Sequence, residues 1–502
     1  MKKDYTKTAI QGATIILTFS VVSIIIGFIL RVLLARTLPT EADLGLLYAV
    51  LAFFGLFAIF RDMGLNPALV KYIPEFIVKK DKRRIKASII LTFVIQISMS
   101  ALILFFILYF SSILSQSFFK TTASIPVIFF VGLSFVSSVL FHLMQAVLQG
   151  FQEMKSYALL DPIRSLIVLV VTFLALVLGF GVPGVAFGYF IAALVAGMVG
   201  FLFLLRKFTF FKVESNIDRG LVKQMFSFSI PIIGAGMAGV LVTYMDTVMI
   251  TYFRTLGEVG HYQVALPIAD TIGIFAIVMG IVTFPMISEL WTRGKRKEIS
   301  NGLSTMTKFL LVMLAPATLA ILIFPETFIG IFGTRYLPAL TTLQILVFAM
   351  IFKSLSEIYF AALKGIGKIR EVATGILILS ISAFLINLVL IPSLGIVGAA
   401  MSTLIAYTIT ALFTFNVLRK SIPIKISIHD TSRIFTSIII AMALGYYMKT
   451  NFSMFHNIPW ILLCLFVYVV SVIILGVVRK DDIKTIEKSG IRLPLILHKI
   501  AR

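Results

Sequence analysis

The chain is written twice. Charge and glycine landmarks return at a near-constant offset of 215 residues. Arg31 is matched by Asp246, Asp43 by Glu258, Gly45 by Gly260 and Lys82 by Lys297. The run Ala146-Val147-Leu148-Gln149-Gly150 aligns with Ala361-Ala362-Leu363-Lys364-Gly365, and Lys155 with Arg370. Further on, Gly181, Gly184 and Ala186 fall on Gly395, Gly398 and Ala400, the offset slipping by one. An internal repeat constrains architecture before any local reading does, because each copy has to build the same unit. In a membrane, duplicated halves commonly enclose a substrate path between them, so the repeat points to a two-lobed transporter.

Hydropathy says that the solvent is lipid. Hydrophobic residues make up 59% of the chain and charged residues 13%, against about 25% charged in soluble domains. Apolar runs recur at the roughly 20-residue length that crosses a hydrocarbon core. They give about fourteen expected spans, at 9–34, 43–60, 87–110, 123–147, 162–180, 183–205, 226–253, 263–287, 303–324, 339–362, 372–391, 396–418, 433–448 and 459–478. The fold class expected is an all-α integral membrane protein. The repeat offset covers six spans, an even number, so the two six-helix lobes run parallel. The domains expected are 1–212, 213–420, and an appended helix pair with a basic tail over 421–502.

The net charge of +22 is not that of a nucleic-acid binder. The cations sit in alternate short loops, such as Lys79 to Lys86, Arg206 to Lys223, Lys364 to Arg370 and Arg479 to Arg502. The positive-inside rule then places both termini in the cytoplasm. Met1-Lys2-Lys3 before an apolar run resembles a signal peptide, but that run is long, contains Arg31 and lacks a small-residue cleavage pattern. It reads as a retained first helix. The one cysteine, Cys464, leaves no disulfide framework.

No catalytic constellation is visible. His142, His261, His429, His456 and His498 are scattered without metal-ligand spacing. Gly234-Ala235-Gly236-Met237-Ala238-Gly239 has the glycine spacing of a nucleotide loop but lies in an expected membrane helix, after Pro231 and not after a strand. No Walker-type loop appears, so no enzyme activity, metal or cofactor is expected. The energy source expected is a substrate gradient, the membrane potential, or a coupling ion, proton or sodium.

Charges inside spans carry the functional signal, since each costs about 2.5 kcal/mol or more at mid-bilayer. They are Arg31, Arg61, Asp62, Asp161, Arg164, Asp246, Asp270, Lys353 and Glu357. Arg61/Asp62 and Asp161/Arg164 fall near helix ends, where snorkelling favours a structural role. Lys353 and Glu357 have the four-residue spacing of mutual neutralisation. Arg31 and Asp246 occupy equivalent places in the repeat, which suggests an ion pair across the cleft at its outer mouth or, alternatively, a partner for each within its own lobe. Asp270 is the candidate for ion coupling or, alternatively, for a bond to a neighbouring helix. Arg31, Arg61 and Lys353 are the candidates to bind an anionic group of a substrate. Gln145, Gln149, Tyr244, Tyr359 and Asn387 could supply neutral hydrogen bonds and stacking faces.

Three segments resemble the polysaccharide-biosynthesis (Wzx-type) flippases of the multidrug/oligosaccharidyl-lipid/polysaccharide superfamily. They are Ala35 to Tyr48, Asp62-Met63-Gly64-Leu65-Asn66-Pro67-Ala68-Leu69-Val70, and Gly367-Lys368 followed by Leu390 to Ala400. The resemblance implies a V-shaped fold and movement of a lipid-linked oligosaccharide from the inner to the outer leaflet of the cell membrane. Its partners would be that substrate, membrane lipid and the glycan assembly machinery. A cation-coupled multidrug exporter and a lipid-linked peptidoglycan-precursor flippase of the same superfamily are the alternatives.

Overall fold

The computed structural model describes residues 5–424, 428–451 and 457–477; the basic tail expected at the C-terminus lies outside them. Every regular element among the described residues is helical, as a hydrocarbon solvent requires of an open chain. The first repeat holds α1 (Tyr5–Thr37), α2 (Glu41–Leu56), α3 (Ala58–Asp62), α4 (Leu65–Val78) and α5 (Lys82–Tyr109). It continues through the one-turn α6 (Ser111–Ile113), α7 (Ser124–Gly150), α8 (Met154–Val177) and α9 (Gly181–Lys207). The second holds α10 (Arg219–Phe253), α11 (Leu256–Asp270), α12 (Ile274–Thr292), α13 (Arg296–Ile323) and the short α14 (Pro325–Gly330). It ends with α15 (Leu340–Gly365), α16 (Ile369–Leu394) and α17 (Ile396–Arg419), and the appended pair is α18 (Ile428–Asn451) and α19 (Ile458–Ile474).

Among the described residues ten helices are long and apolar enough to cross a membrane, and the bent series α2 to α4 makes an eleventh. Those eleven coincide with eleven of the fourteen expected spans. The count of fourteen is not reached on this criterion. The run α11–α12 is interrupted by a 3-10 turn at Thr271–Gly273, α19 has 17 residues, and α18 is helical without being apolar enough.

The repeat is legible in the packing. The dominant contacts in the first copy are α7 with α9, then α8 with α9; in the second, α15 with α17, then α16 with α17. Equivalent helices turn equivalent faces to lipid: α8 exposes Leu166, Val170, Phe173 and Val177, and α16 exposes Leu377, Ile381, Leu385 and Leu388. Such stripes at three- and four-residue spacing suit a helix whose outer neighbour is acyl chain.

By packing, the chain divides into two compact units, Met1–Gly260 and His261–Arg502. In unit 1, α1 packs on α8, whereas α10, the counterpart of α1, finds its main partners in α2, α3, α4 and α5. Asp218 caps α10: it accepts the Leu221 N–H and meets the Arg84 guanidinium at 3.3 Å. That N–H, with Arg84 beside it, holds the exposed carboxyl below the usual carboxylate range. In unit 2 the appended helices are fixed to α13. The buried pair Lys308–Asp430 spans 3.3 Å, and the Tyr468 hydroxyl donates to the Val312 carbonyl at 3.1 Å.

Where α2 meets the start of α11, within unit 1, the repeat mates Gly45 and Gly260 abut. A Cβ on Gly45 would lie 1.8 Å from the Leu256 carbonyl oxygen, and one on Gly260 would lie 2.1 Å from that of Glu41. Glu41 and Leu256 are themselves 215 residues apart, so the crossing is two-fold, each glycine admitting the other segment's carbonyl. Gly45→Ala and Gly260→Ala should each lower thermal stability in detergent by about 1–3 kcal/mol, the usual cost of overpacking. Gly234→Ala is the contrast, since nothing lies within 4 Å of its added methyl. It should be neutral or stabilise α10 by about 0.5–1 kcal/mol.

Candidate functional site

In unit 1 the site is built on a break. A capping box at Thr40 and Asp43 starts α2, with the Asp43 N–H donating to Thr40 Oγ1 at 3.1 Å and the Thr40 N–H to Asp43 Oδ2 at 3.0 Å. The span expected to end at residue 60 instead gives way after Leu56, resumes as α3, and breaks again where Met63 (φ 50) and Gly64 (φ 69) turn left-handed. The bend of 44° lies at the first of these breaks, between Glu41–Leu56 and Ala58–Val78. Ser229 of α10 donates its hydroxyl at 2.9 Å to the Gly64 carbonyl, which also accepts the Ala68 N–H at 3.4 Å. Its own backbone oxygen would lie 2.6 Å from any Cβ on Gly64, so glycine is required there. Gln96 of α5 bridges the second break, donating to Asp62 Oδ1 at 3.0 Å and Asn66 Oδ1 at 3.3 Å.

Arg61, the residue before Asp62, turns to α7. Its Nη1 donates to the Ser138 hydroxyl and, at 3.3 Å, to the Phe135 carbonyl, while its guanidinium carbon stands 4.8 Å from the Phe135 ring centre. Its Nη2 and Nε have no hydrogen-bond partner among the described residues. A second guanidinium, Arg164 of α8, lies 5.1 Å from the Phe141 ring centre, and its buried Nε likewise lacks a hydrogen-bond partner there. His142 stands within electrostatic reach of both arginines. Gln145 donates to Asp161 at 3.0 Å, so that carboxylate is engaged by a neutral amide. Arg31 stacks on Tyr48 at 4.9 Å, and Tyr189 lies within electrostatic reach of Arg31 and Arg164. Three arginines thus form one seam through unit 1.

Unit 2 handles the equivalent place with opposite polarity. Lys353 of α15, the repeat mate of Ser138, donates to Asp270 Oδ1 at 2.8 Å. Asp270 is the last residue of α11, where the helix dipole is unfavourable for a carboxylate and the ammonium offsets it. Tyr407 of α17 lies 6.0 Å from the ammonium, and Glu357 is exposed. The expected i,i+4 neutralisation of Lys353 by Glu357 therefore yields to a contact across helices.

Of the residues singled out in the sequence, Arg31, Arg61 and Asp246 fall in unit 1, and Lys353 and Asp270 in unit 2. Asp246 is half-buried on α10. Tyr244 packs against Gly55, where an added Cβ would meet its ring at 2.6 Å. Arg164 and His142 were not among the substrate candidates; their signal was the charge placed within an apolar run. Among the described residues no group of three His, Cys, Asp or Glu could hold a metal ion.

This geometry belongs to a known family. Residues 9–291 match the family of polysaccharide biosynthesis proteins, and residues 231–393 match MatE. An uncharacterized membrane protein of Methanocaldococcus jannaschii, MJ1068, is 31% identical over 437 residues, covering 83% of this chain and 85% of that protein. The probable low-salt glycan biosynthesis flippase Agl15 of Haloferax volcanii is 24% identical, covering 76% and 78%. The fold is that of a lipid II flippase, MurJ, in an inward closed conformation, with TM-score 0.76, 16% identity, and coverage of 91% of this chain and 98% of that one. The chain is a multi-pass membrane protein of the polysaccharide biosynthesis protein family.

The Lys353–Asp270 contact is open to test by a double-mutant cycle. Lys353→Met should destabilise the detergent-solubilised protein, because it strands a carboxylate at a helix C-terminus. Adding Asp270→Asn should recover part of that loss, with a coupling energy of about 0.5–3 kcal/mol. Additive effects in thermal unfolding would mean that the two side chains do not interact.

Proposed function

We propose that this chain is a flippase that carries a lipid-linked oligosaccharide from the inner to the outer leaflet of the cell membrane. It works by alternating access of its two repeats, with both termini cytoplasmic, and catalyses no covalent step. The observation that carries the reading is the seam of guanidiniums in unit 1. Arg61 and Arg164 keep N–H donors without protein partners among the described residues, while the nearby carboxylates Asp62 and Asp161 accept from Gln96 and Gln145. Donors left over in membrane-spanning helices suit a ligand that brings its own anionic oxygens. A diphosphate linking a glycan to a lipid has that chemistry, and guanidinium–phosphate bonds are among the stronger hydrogen bonds.

Cationic drugs, the cargo of a multidrug exporter, would be repelled by the same seam. A peptidoglycan-precursor flippase shares the anionic headgroup, and the fold likeness to a lipid II flippase supports that second reading. The name of Agl15 supports a glycan cargo. Arg31, Arg61 and Lys353 are proposed to bind substrate, and Asp270 to couple transport to a proton or sodium ion. Arg31 and Asp246 are proposed to gate it as a pair.

Depletion of the protein should cause a lipid-linked glycan to accumulate on the inner leaflet, and its analysis identifies the cargo; accumulation of a peptidoglycan precursor would favour the second reading. In proteoliposomes Arg61→Gln should slow flipping by about 10–100-fold, the loss of one or two charge-assisted bonds. Unchanged flipping would remove Arg61 from the path. Arg31→Asp and Asp246→Arg should each impair flipping, and the two together restore it if they pair directly. Asp270→Asn should abolish the response to an imposed pH or sodium gradient, and a response intact under both would end the coupling role.

A further inference from the structure

The basic face of unit 1 carries a second, amphiphilic hollow away from the arginine seam. A cavity of 620 Å³ opens where α4, α5, α7 and α9 end or begin, floored by Phe76, Ile77, Val78, Ile85, Phe151 and Phe208. A hollow of 640 Å³ adjoins it, rimmed by Lys79, Lys80, Lys82, Arg83 and Lys212 and by two carboxylates, Asp81, which pairs with Arg84, and Glu214. Lys80 and Lys82 line both, so two ammonium groups stand where an apolar space meets a basic one. Within this rim Lys79 pairs with Glu75 and Arg83 with Glu214. Lys80, Lys82 and Lys212 have no carboxylate partner among the described residues. At the floor's edge Val78 is 83% exposed and Ile77 is 42% exposed, apolar surface at the end of a membrane helix.

The backbone here is unusual in the same place. Lys80 (φ 56) and Gln152 (φ 60) both line the hollow in the left-handed region. Each closes a helix in a Schellman turn: the Asp81 N–H reaches the Phe76 carbonyl at 2.9 Å, and the Glu153 N–H reaches the Leu148 carbonyl at 2.9 Å. The second repeat makes the corresponding turns with Gly294 (φ 70) and Gly367 (φ 80), residues free of that strain. The first repeat therefore holds two side chains, one of them a lysine, in an unfavourable conformation where its duplicate holds none. Strain kept in one copy and absent from the other marks a place where the side chain is used.

We infer that this hollow binds an anionic phospholipid of the leaflet that the basic face meets. An acyl chain lies on the phenylalanine floor, and the phosphate sits at Lys80 and Lys82, with Lys212 beyond. Charge complementarity selects this occupant: a zwitterionic lipid would bring its own cation to a rim that already has three unpaired ones. Free phosphate would leave the floor unused.

The test is a native mass spectrometry titration of the purified, delipidated full chain with phosphatidylglycerol and with phosphatidylcholine. Wild type should prefer phosphatidylglycerol. Lys80→Asn with Lys82→Gln, asparagine being tolerant of the left-handed turn, should weaken phosphatidylglycerol binding by about 30-fold and leave phosphatidylcholine unchanged. Lys82→Gln alone should weaken it by about fivefold, a milder change that keeps the measurement valid if the double variant misfolds. Lys295→Asn with Lys297→Gln, the same charge change at the equivalent turn of the second repeat, should have no effect. Equal loss in that control, undiminished preference in the first-repeat variants, or displacement of the lipid by millimolar orthophosphate would each overturn the assignment.

Discussion

Hydrocarbon offers a peptide group nothing to bond to, and the structure follows from that restriction. It forces the chain into helices and sets how a helix can be interrupted: only where another part of the protein takes up the freed groups. At the break at Met63-Gly64, Ser229 donates to the Gly64 carbonyl beside the Ala68 N–H. The interruptions are also where charge has collected. Arg61 and Asp62 stand immediately before the left-handed turn, and Asp270 stands immediately before the 3-10 turn Thr271–Gly273. The helix gap at Phe57 and Ile272 within that turn are 215 residues apart, so the first interruption is part of the duplicated plan. A backbone that must already be satisfied by polar neighbours is the least costly place in a membrane span to keep an ionisable side chain.

Duplication supplied the scaffold and divergence supplied the chemistry. In both copies the interrupted helix is tied to a later long helix, α7 or α15, through the repeat mates Ser138 and Lys353. The first copy uses Arg61 donating to Ser138, and the second uses Lys353 donating to Asp270. The cation sits on the interrupted helix in one and on the long helix in the other. The repeat mate of Asp270 is Gly55, which serves only to admit the Tyr244 ring, and that of Arg61 is Ala276. Equivalent places in the two copies thus carry unlike chemistry on like backbones.

Much of the fold was legible because hydropathy and the repeat both report on backbone burial, which a one-dimensional sequence records well. The eleven spans follow from run length, and the Gly45–Gly260 match anticipated a shared backbone constraint. The break in the second span was invisible, since Phe53, Phe54, Leu56, Phe57, Ile59 and Phe60 read as an uninterrupted apolar run. Side-chain partnerships were legible in kind and not in partner: a bond from Asp270 to a neighbouring helix was one of its two readings, without the residue it meets. The spacing of Lys353 and Glu357 suggested a pair along one helix, but the lysine reaches Asp270, 83 positions away. Arg164 and His142 looked like a helix-end charge and a stray histidine. Which face of α7 or α8 they occupy depends on how the helices are rotated, and the sequence does not state this.

The weight placed on Arg61 and Arg164 rests on what a membrane protein would otherwise do with them. If a guanidinium in a membrane span served only to hold helices together, pairing it with an adjacent carboxylate would use both charges and leave few donors over. Arg61 has Asp62 next to it in sequence and within electrostatic reach, yet its hydrogen bonds go to a hydroxyl and a carbonyl and its plane to the face of a ring. Arg164 has Asp161 one turn away, yet Asp161 accepts from Gln145 while Arg164 lies against Phe141. Aromatic faces compensate a cation partially, by about 0.5–2 kcal/mol, and do so without occupying its hydrogen-bond donors. The arrangement thus stabilises each arginine enough to be tolerated in the span while keeping it able to bond. That combination suits a transient anionic ligand that must be bound at one stage of a cycle and released at another, because a carboxylate already in place would compete with it at every stage.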